Sequence, residues 1–224
     1  MRILVYNPDK LALLESPDTA LELQEVTLPA LLSAAQFLAE NDKLPLMIAA
    51  REALDMQLLR KIRDLGFNGP LFAATAKLQP AYRIDWRYAG ADDVVKLPLS
   101  GAELRARVAV IERRLHGLSS EKLQIGPLDF YLDGRNPEIK GEPLPLSPRE
   151  YNILRQLALN SGRVVAKSSI YNALYALAPD QPFDKIIDVY ICRLRAKISK
   201  AAEGANYIET VSGRGYRLKV PVAA

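Results

Sequence analysis

The sequence predicts an α/β protein of two domains, a doubly wound domain followed by a smaller domain of strands and helices. Three observations support this. Short apolar strands alternate five times with helical segments within about 115 residues. A small, polar linker follows at residues 117–122. Beyond it, the pattern changes to short strands, three helices and a hairpin with glycines at its tip.

The first domain, residues 1–116, has the layout of a (βα)5 fold. Residues 46–50 are apolar without alternation, as is typical of parallel strands buried on both faces. Pro29 suits the first turn of a helix, and Gly66 ends another. The strands are expected at 2–6, 25–27, 46–50, 71–74 and 94–95. The helices are expected from Pro8, from Pro29 to about Asn41, and at 54–65, 81–88 and 100–115.

The second domain, residues 123–224, begins with short strands and turns. Ser147-Pro148-Arg149-Glu150 then has the layout of a capping box with proline at the first helical position. Gly213-Arg214-Gly215 marks the tip of the last hairpin. The three helices are expected at about 147–160, 167–177 and 184–200. Short strands, three helices and a terminal hairpin predict a winged helix-turn-helix.

The third helix of this domain has two faces. An apolar stripe suited to a core consists of Ile187, Ile191, Leu194 and Ile198. A second stripe mixes apolar groups with cations and consists of Ile186, Val189, Tyr190, Arg193 and Lys197. Such a stripe suits thymine methyls, base edges and phosphates. A cation at a glycine-flanked tip suits a narrow minor groove. The pattern therefore predicts DNA binding by a helix and a wing.

The excess positive charge lies in the same region. The formal net charge is +4. Through Lys122 there are 16 basic and 16 acidic residues, and after it 14 and 10. A run of charge is usually a solvated face. Its coincidence with the two-faced helix and the hairpin favours a surface that binds a polyanion.

The composition argues against several other classes of protein. No apolar run approaches the roughly 18 residues of a membrane span. The start of the chain lacks a signal-peptide layout. One cysteine and one histidine leave neither an internal disulfide nor a zinc site, and Cys192 suits a buried position better than a redox sensor. We expect a cytoplasmic protein without cofactor, metal or enzymatic activity, because catalytic motifs are absent.

The second domain resembles the OmpR/PhoB family of winged-helix response regulators. Residues 146–154 (LSPREYNIL) are similar to the family's first helix, L-T-x-x-E-x-x-L-L. Residues 187–195 (IDVYICRLR) are similar to its recognition helix, V-D-V-x-I-x-x-L-R. Residues 213–216 (GRGY) are similar to its wing, R-G-x-G-Y, with Ser212 where arginine is usual. Within the family, residues 185–192 and 206–216 are most similar to the CtrA-type regulators.

The resemblance implies a set of DNA contacts. Arg193 is expected to touch a base, with Val189 and Tyr190 beside it, although both could instead be buried against the wing. Arg195 is expected at a phosphate, or else paired with a carboxylate such as Asp188. The predicted DNA-binding residues are Lys167, Lys185, Ile186, Val189, Tyr190, Arg193, Arg195, Lys197, Arg214 in the minor groove or at a solvated tip, and Arg217.

The first domain resembles a receiver domain that has lost its phosphorylation site. Where receivers place an acidic pair, this chain has Asn7-Pro8, and where they place the phosphoacceptor aspartate it has Arg51. Leu97 stands in the position of the usual lysine, while Thr75 keeps the switch hydroxyl. Phosphoryl transfer to a carboxylate needs a nucleophile and carboxylates that hold a metal. The sequence therefore predicts a pseudo-receiver that is not phosphorylated.

The resemblance also implies a homodimer through the face formed by the fourth helix, fifth strand and fifth helix of a receiver. The matching charged positions are Arg83 with Glu103 and Asp93 with Arg107, although these could be ordinary surface charges. Each exposed pair is worth about 0–1 kcal/mol, so such pairs set register more than affinity.

The predicted function is that of a sequence-specific transcription regulator, independent of phosphorylation, which binds tandem half-sites on double-stranded DNA as a dimer. The loop at 178–182 corresponds to the family's loop that contacts RNA polymerase. The alternative is an interaction protein whose pseudo-receiver binds another regulator or a small ligand, with weak DNA affinity.

Overall fold

The computed structural model describes residues 1–40, 44–51, 56–120, 122–175 and 182–221. The chain divides into two compact units, Met1–Gly117 and Leu118–Ala224.

The first unit is built on a five-stranded parallel sheet in the order β2-β1-β3-β4-β5. Its strands are β1 (Arg2–Tyr6), β2 (Glu22–Glu25), β3 (Leu46–Ala50), β4 (Leu71–Thr75) and β5 (Asp93–Lys96). Its helices are α1 (Leu28–Glu40), α2 (Met56–Asp64), α3 (Pro80–Tyr88) and α4 (Gly101–Leu115). The predicted α/β class with a central parallel sheet is confirmed.

The unalternating apolar segments fill the middle of this sheet. β1, β3 and β4 are buried along nearly their whole length, including Met47 and Phe72. Leu104 and Val108 of α4 pack on one face together with Val5 and Phe72. β2 is an edge strand that is only partly buried. It lies at Glu22–Glu25 rather than at the expected 25–27, because it pairs with β1 from Arg2 opposite Glu22.

The helix expected from Pro8 does not form, so the described residues of this unit carry five strands and four helices rather than (βα)5. Residues 7–21 form an irregular segment, here called the strap. Asn7 Oδ1 accepts a hydrogen bond from the main-chain N–H of Leu11 at 2.9 Å, and Asn7 Nδ2 donates to the Leu11 carbonyl at 3.1 Å. This side chain closes a turn in place of a helical one.

Tertiary contacts hold the rest of the strap extended. The Leu99 amide donates to the Leu13 carbonyl at 3.3 Å, and the Glu15 amide donates to the Leu99 carbonyl at 3.1 Å. The leucine spacing that suggested a helix instead places Leu11, Leu14 and Leu21 against the core. Local propensity is overridden here by main-chain pairing with the segment after β5.

The second unit combines two antiparallel sheets with three helices. Its strands are β6 (Lys122–Ile125), β7 (Leu128–Tyr131), β8 (Glu138–Ile139), β9 (Glu142–Pro143), β10 (Val164–Val165), β11 (Ile208–Val211) and β12 (Gly215–Leu218). Its helices are α5 (Pro148–Leu159), α6 (Lys167–Tyr175) and α7 (Ile186–Ala201). The sheets have the orders β6-β7-β8-β9 and β10-β12-β11. The predicted winged helix-turn-helix is confirmed.

The predicted capping box at the start of α5 is also confirmed. The Ser147 hydroxyl accepts from the Glu150 amide at 3.4 Å, and the Glu150 carboxylate accepts from the Ser147 amide at 2.8 Å. These bonds satisfy two of the main-chain donors that a helix leaves open at its beginning.

The wing is the hairpin of β11 and β12, and a third strand supports it. β10, which the sequence did not predict because it is only two residues long, pairs with β12 through Val165 opposite Tyr216. Gly215 lies at this contact with φ +133°, and a Cβ there would lie 2.1 Å from the Val165 carbonyl oxygen. Only glycine permits this close approach of the two strands.

Candidate nucleic-acid interface and receiver site

Helix α7 has one buried stripe and one exposed stripe. The apolar stripe predicted for the core is confirmed, since all four of its residues are buried: Ile187, Ile191, Leu194 and Ile198. The other side of the helix is open to solvent, and we call its members the exposed stripe: Lys185, Val189, Cys192, Arg193 and Ala196. This stripe is the surface of α7 that a groove of DNA could receive.

The structure corrects the placement of Tyr190. Its side chain is only 8% exposed, and its hydroxyl accepts a hydrogen bond from Arg149 Nη1 of α5 at 3.1 Å. The tyrosine therefore packs within the domain, toward α5 rather than toward the wing. Arg193 lies above it, with its guanidinium carbon 5.9 Å from the centre of the ring. Tyr190 can orient Arg193 through this contact.

Cys192 was expected to be buried, and it is exposed. Together with Ala196 it belongs to the surface that the sequence reasoning missed. A signal for both was available, because Cys192 and Ala196 follow Val189 by three and seven residues, the spacing of one helix face. Their small side chains leave room beside Val189 and Arg193 on the exposed stripe.

The predicted cations divide into two groups. The side chains of Lys185, Arg193 and Arg214 make no hydrogen bond or ion pair within the described part of the chain, and all three residues are exposed. Lys197, by contrast, donates to Glu150 Oε2 at 2.7 Å and to the Pro145 carbonyl at 2.9 Å. The first group has donors available for a ligand, whereas Lys197 has internal partners.

Arg195 and Arg217 also have internal partners. Arg195 donates from Nε to the Ile208 carbonyl at 2.9 Å and from Nη2 to the Thr210 hydroxyl at 2.7 Å, both on β11. The alternative partner considered for Arg195, Asp188, is not the one found. Arg217 pairs with Glu209 on the neighbouring strand at 2.7 Å. Both arginines contribute to the structure of the wing.

Lys167 and Asp188 belong to a cluster at the base of the wing. Lys167 Nζ lies 3.0 Å from Asp188 Oδ2 and 3.5 Å from Asp184 Oδ2. Asp188 Oδ1 accepts a hydrogen bond from the Tyr216 hydroxyl. This bond lowers the pKa of Asp188, with help from Lys167 and against the opposing effect of burial. Burial, reinforced by the bond to Asp188, raises the pKa of Tyr216 to about 12.

Glu150 is buried and remains an anion. Burial alone would raise its pKa, but the hydrogen bonds from Lys197 and Ser147 outweigh burial and hold the pKa below its usual value. The pair of Glu150 and Lys197 thus joins the start of α5 to the outer part of α7.

The residues at the receiver positions form a network of hydrogen bonds at the carboxyl ends of β1, β3 and β4. Asn7 is buried, and its amide also donates to Glu25 Oε1 at 3.1 Å. Asp9 Oδ2 accepts from the main-chain N–H of Arg51 at 2.7 Å. The Thr75 hydroxyl donates to the Arg51 carbonyl at 3.1 Å. Both main-chain groups of Arg51 are therefore held by side chains.

The remaining receiver positions hold no carboxylate. Pro8 is exposed, Leu97 is buried in the core cluster, and Lys96 is exposed at the end of β5. Among the described residues, no group of three or more His, Cys, Asp or Glu side chains is placed to hold a metal ion.

Three of the four predicted dimer residues, Asp93, Glu103 and Arg107, are linked to one another within the chain on β5 and α4. Arg107 contacts Asp93 at 2.6 Å and Glu103 at 2.7 Å. Burial opposes the charge of Arg107, but the hydrogen bonds that Arg107 donates to Glu103 and Asp93 outweigh burial and raise its pKa. Arg87 contacts Asp93 from the other side at 2.8 Å, while Arg83 is exposed.

An exposed apolar pair lies beside these charges. Ile84 is 60% exposed and Tyr88 is 86% exposed, both on α3, one helical turn apart. Together with Arg83 and Arg87 they line a shallow hollow of the surface. The family resemblance indicated only the charged positions of this face, and no sequence pattern indicated the apolar pair.

Comparison with known proteins gives matches over both units. The family described as "Transcriptional regulatory protein, C terminal" matches residues 141–218. The chain is 34% identical over 166 residues to the cell cycle transcriptional regulator CtrA of Caulobacter vibrioides, covering 74% of this chain and 71% of that protein. It is 40% identical over 134 residues to the cell cycle response regulator CtrA of Brucella anthropi, covering 60% and 57%.

A solved structure spans nearly the whole chain. The response regulator DrrB of Thermotoga maritima, an OmpR/PhoB homologue, is 21% identical, covers 97% of this chain and 98% of its own, and superposes with a TM-score of 0.43. In the described residues of this chain, every helix is too short or too polar to cross a membrane.

Proposed function

Since the chain belongs to the OmpR/PhoB-type response regulators and is a DNA-binding transcription regulator, we propose that it reads a specific sequence through the exposed stripe and the wing. The observation that carries this proposal is the separation of the cations into two groups. Lys185, Arg193 and Arg214 are exposed, and their side chains have no hydrogen-bond or ion-pair partner within the described residues. Exposed side-chain donors without an internal partner are available to bind phosphates and base edges.

Each member of the surface has a role. Arg193 contacts a base edge in the major groove, and Val189 packs on a thymine methyl. Ile186, which is half-buried, supports the helix end beside Val189. Lys185, near the start of α7, contacts a phosphate, and Arg214 enters the minor groove. Lys167, Arg195, Lys197 and Arg217 act mainly within the domain, because their charges are already paired or hydrogen-bonded.

We further propose that phosphorylation does not switch this regulator. The receiver position of the phosphoacceptor is Arg51, whose main chain is held by Asp9 and Thr75. Asn7 supplies an amide where a metal-binding carboxylate is needed, and Leu97 is buried in the core. The described carboxylate in this group, Asp9, does not occupy the acceptor position and already accepts a hydrogen bond from the Arg51 main-chain N–H, so it does not replace the missing acceptor aspartate.

The proposal includes a homodimer on α3, β5 and α4 that binds tandem half-sites in the cytoplasm. The exposed Ile84 and Tyr88 support an interface there, since apolar groups at the centre of a patch give more affinity than exposed charges at its edge. The predicted contact with RNA polymerase falls on residues that, apart from Pro182, lie outside the described part of the chain.

A second candidate function is favoured by the same apolar pair. Ile84 and Tyr88 would also suit a different regulator as partner, with DNA binding a minor activity of the chain. The salt dependence of DNA binding separates the two candidates, because sequence-specific binding retains a large preference over random DNA at physiological salt.

The test begins with a DNA site selected by the full-length protein from random sequence. Arg193→Ala is expected to weaken binding to that site by about 1–3 kcal/mol and to relax the preference at one base pair. Random DNA should be affected much less. Lys200→Ala is the control, since Lys200 is an exposed cation at the end of the same helix, about two turns beyond Arg193 and outside the predicted contacts. Equal losses on selected and random DNA for Arg193→Ala would refute its role in base recognition.

A further inference from the structure

Three DNA-facing elements of the second unit meet at one carboxylate. Asp188 lies in the first turn of α7, Lys167 begins α6, and Tyr216 lies on β12 of the wing. Asp188 Oδ1 accepts from the Tyr216 hydroxyl, and Asp188 Oδ2 lies 3.0 Å from Lys167 Nζ. Each oxygen of this carboxylate thus has its own partner on a different element.

The positions of these residues along the chain matter. Asp188 precedes Val189 of the exposed stripe and lies five residues before Arg193. Tyr216 follows Arg214 by two residues on the same hairpin. The bond between Asp188 and Tyr216 therefore joins the helix that carries Arg193 to the hairpin that carries Arg214.

Arg195 provides a second link between the same two elements. Its guanidinium carbon lies 5.9 Å from the centre of the Tyr216 ring, and it donates to the Thr210 hydroxyl at 2.7 Å. Tyr216 is thereby held at its hydroxyl by Asp188 and over its ring by Arg195. The two contacts come from residues seven apart on α7, about two helical turns.

The negative charge of Asp188 is unfavourable for DNA binding at this position. Its side chain is 51% exposed on a surface that we propose faces phosphates. A carboxylate there repels DNA, and removing it should strengthen binding if electrostatic repulsion were its main effect. If Asp188 instead positions the wing, removing it should weaken DNA binding.

We propose that Asp188 is a positioning residue that fixes the wing on α7, so that Arg193 and Arg214 enter the two grooves as one unit. The inference rests on the roles proposed above for those two arginines. It adds that the contact made by Arg214 depends on a residue on another element that does not itself bind DNA.

The experiment is a double-mutant cycle on the full chain with the selected DNA site. Arg214→Ala is expected to weaken binding about tenfold in the native protein, but about twofold or less when Asp188 is already alanine, because a displaced wing no longer delivers the arginine. Asp188→Ala alone should weaken binding, by about fivefold. Tyr216→Phe keeps the ring and removes the hydroxyl, and it should give the same pattern if Asp188→Ala folds poorly.

Asp184→Ala is the matched control. The Asp184 carboxylate also lies near Lys167 Nζ, at 3.5 Å, and it contacts Lys167 rather than the wing. Its loss should leave the effect of Arg214→Ala unchanged and should slightly tighten DNA binding by removing repulsion. An equal effect of Arg214→Ala in the native, Asp188→Ala and Tyr216→Phe proteins would overturn the inference, as would tighter binding by Asp188→Ala.

Hydrogen exchange separates this inference from the proposed function. The main-chain amides of β11 and β12 should exchange at least about tenfold faster in Asp188→Ala, because local opening becomes easier, while those of the first unit stay unchanged. An Arg214→Ala protein with native affinity would contradict the proposed minor-groove contact instead. In that case hydrogen exchange still tests the positioning role of Asp188. Unchanged exchange rates of the wing amides in Asp188→Ala would contradict that role, and faster exchange would support it.

Discussion

The buried carboxylate of Glu150 holds the side chain of Lys197 within the second unit. It is buried at the start of α5, where it caps the helix and pairs with Lys197 of α7. Removing one partner of a buried ion pair leaves the other charge without compensation, which costs more than the loss of an exposed pair. Lys197 therefore matters first for the stability of the second unit.

We expect Lys197→Met to lower the free energy of unfolding of the second unit by about 1–3 kcal/mol at pH 7, the range for a buried polar group that loses a partner. Urea unfolding followed by circular dichroism measures this. The sole tryptophan, Trp86, lies in the first unit, and its fluorescence is the internal control, since its transition should not move.

The same pair gives a dependence on pH with a defined sign. The pKa of Glu150 is lowered in the folded protein, so its contribution is complete above the unfolded value of about 4.3 and is lost as the pH falls through the lower, folded value. The difference between native and Lys197→Met proteins should therefore narrow below about pH 4.3. If the difference in unfolding free energy does not change with pH, we would conclude that Lys197 is a phosphate contact. The same conclusion would follow if Lys197→Met weakens binding to all DNA without loss of stability.

At this scale the sequence predicted the core of α7 well and its outer face less well. Ile187, Ile191 and Leu194 follow a spacing that only one face of a helix can satisfy. Tyr190 lies near the boundary between the two faces, where the hydrogen bond from Arg149 decides its side. That partner is 41 residues away in the sequence, and no local pattern identifies it.

Among the elements, the strap and the ends of the strands determine what the first unit can do chemically. Asp9 lies on the strap, and its carboxylate accepts a hydrogen bond from the main-chain N–H of Arg51. The Thr75 hydroxyl donates a hydrogen bond to the Arg51 carbonyl. Among the described residues, the carboxylate of Asp9 and the hydroxyl of Thr75 at a receiver's phosphorylation site thus hold the main chain of Arg51.

We expect no phosphoryl adduct on the first unit after incubation with acetyl phosphate and magnesium, as measured by intact mass. Arg51→Asp should stay unmodified as well, because restoring the acceptor does not restore the carboxylates that hold the metal. An ordinary receiver domain in the same reaction is the positive control. An adduct on the native chain would contradict the proposal, and an adduct on Arg51→Asp alone would show that metal binding had survived.

The sequence could predict the strands of this unit but not the strap. Buried strands such as β3 and β4 carry their signal in consecutive apolar residues. Residues 7–21 carry leucines at a spacing that suits a helix, yet Leu13 and Glu15 pair with Leu99. This pairing depends on where β5 ends in space, and the two-residue β10 likewise depends on the approach of Gly215.

For the whole molecule, the proposed dimer sets how strongly two half-sites are bound. Linking two DNA-binding domains makes the second binding event intramolecular, so affinity for tandem sites can greatly exceed that for one site. If phosphorylation does not switch the regulator, as we propose, the concentration of dimer takes its place in controlling the occupancy of DNA. The face on α3, β5 and α4 then becomes the point at which regulation acts.

Within this face the charges and the apolar pair are expected to contribute differently. Arg107 is held by Asp93 and Glu103 of its own chain, so a bond to a second chain would have to share those partners. Ile84 and Tyr88 have no such competition for their exposed surface. Apolar contact should therefore supply most of the affinity, while the charges set the register.

Ile84→Lys should shift the sedimentation profile toward monomer at a concentration where the native chain is dimeric, and Arg107→Glu should do so more weakly. Both should weaken binding to tandem half-sites while leaving a single half-site unaffected, because the second unit is unchanged. Arg60→Glu, an exposed charge reversal on α2 outside this face, is the matched control. If Ile84→Lys and Arg60→Glu sediment alike, the dimer does not form through α3. If tandem binding falls without a change in sedimentation, the apolar pair instead contacts a partner present only on DNA.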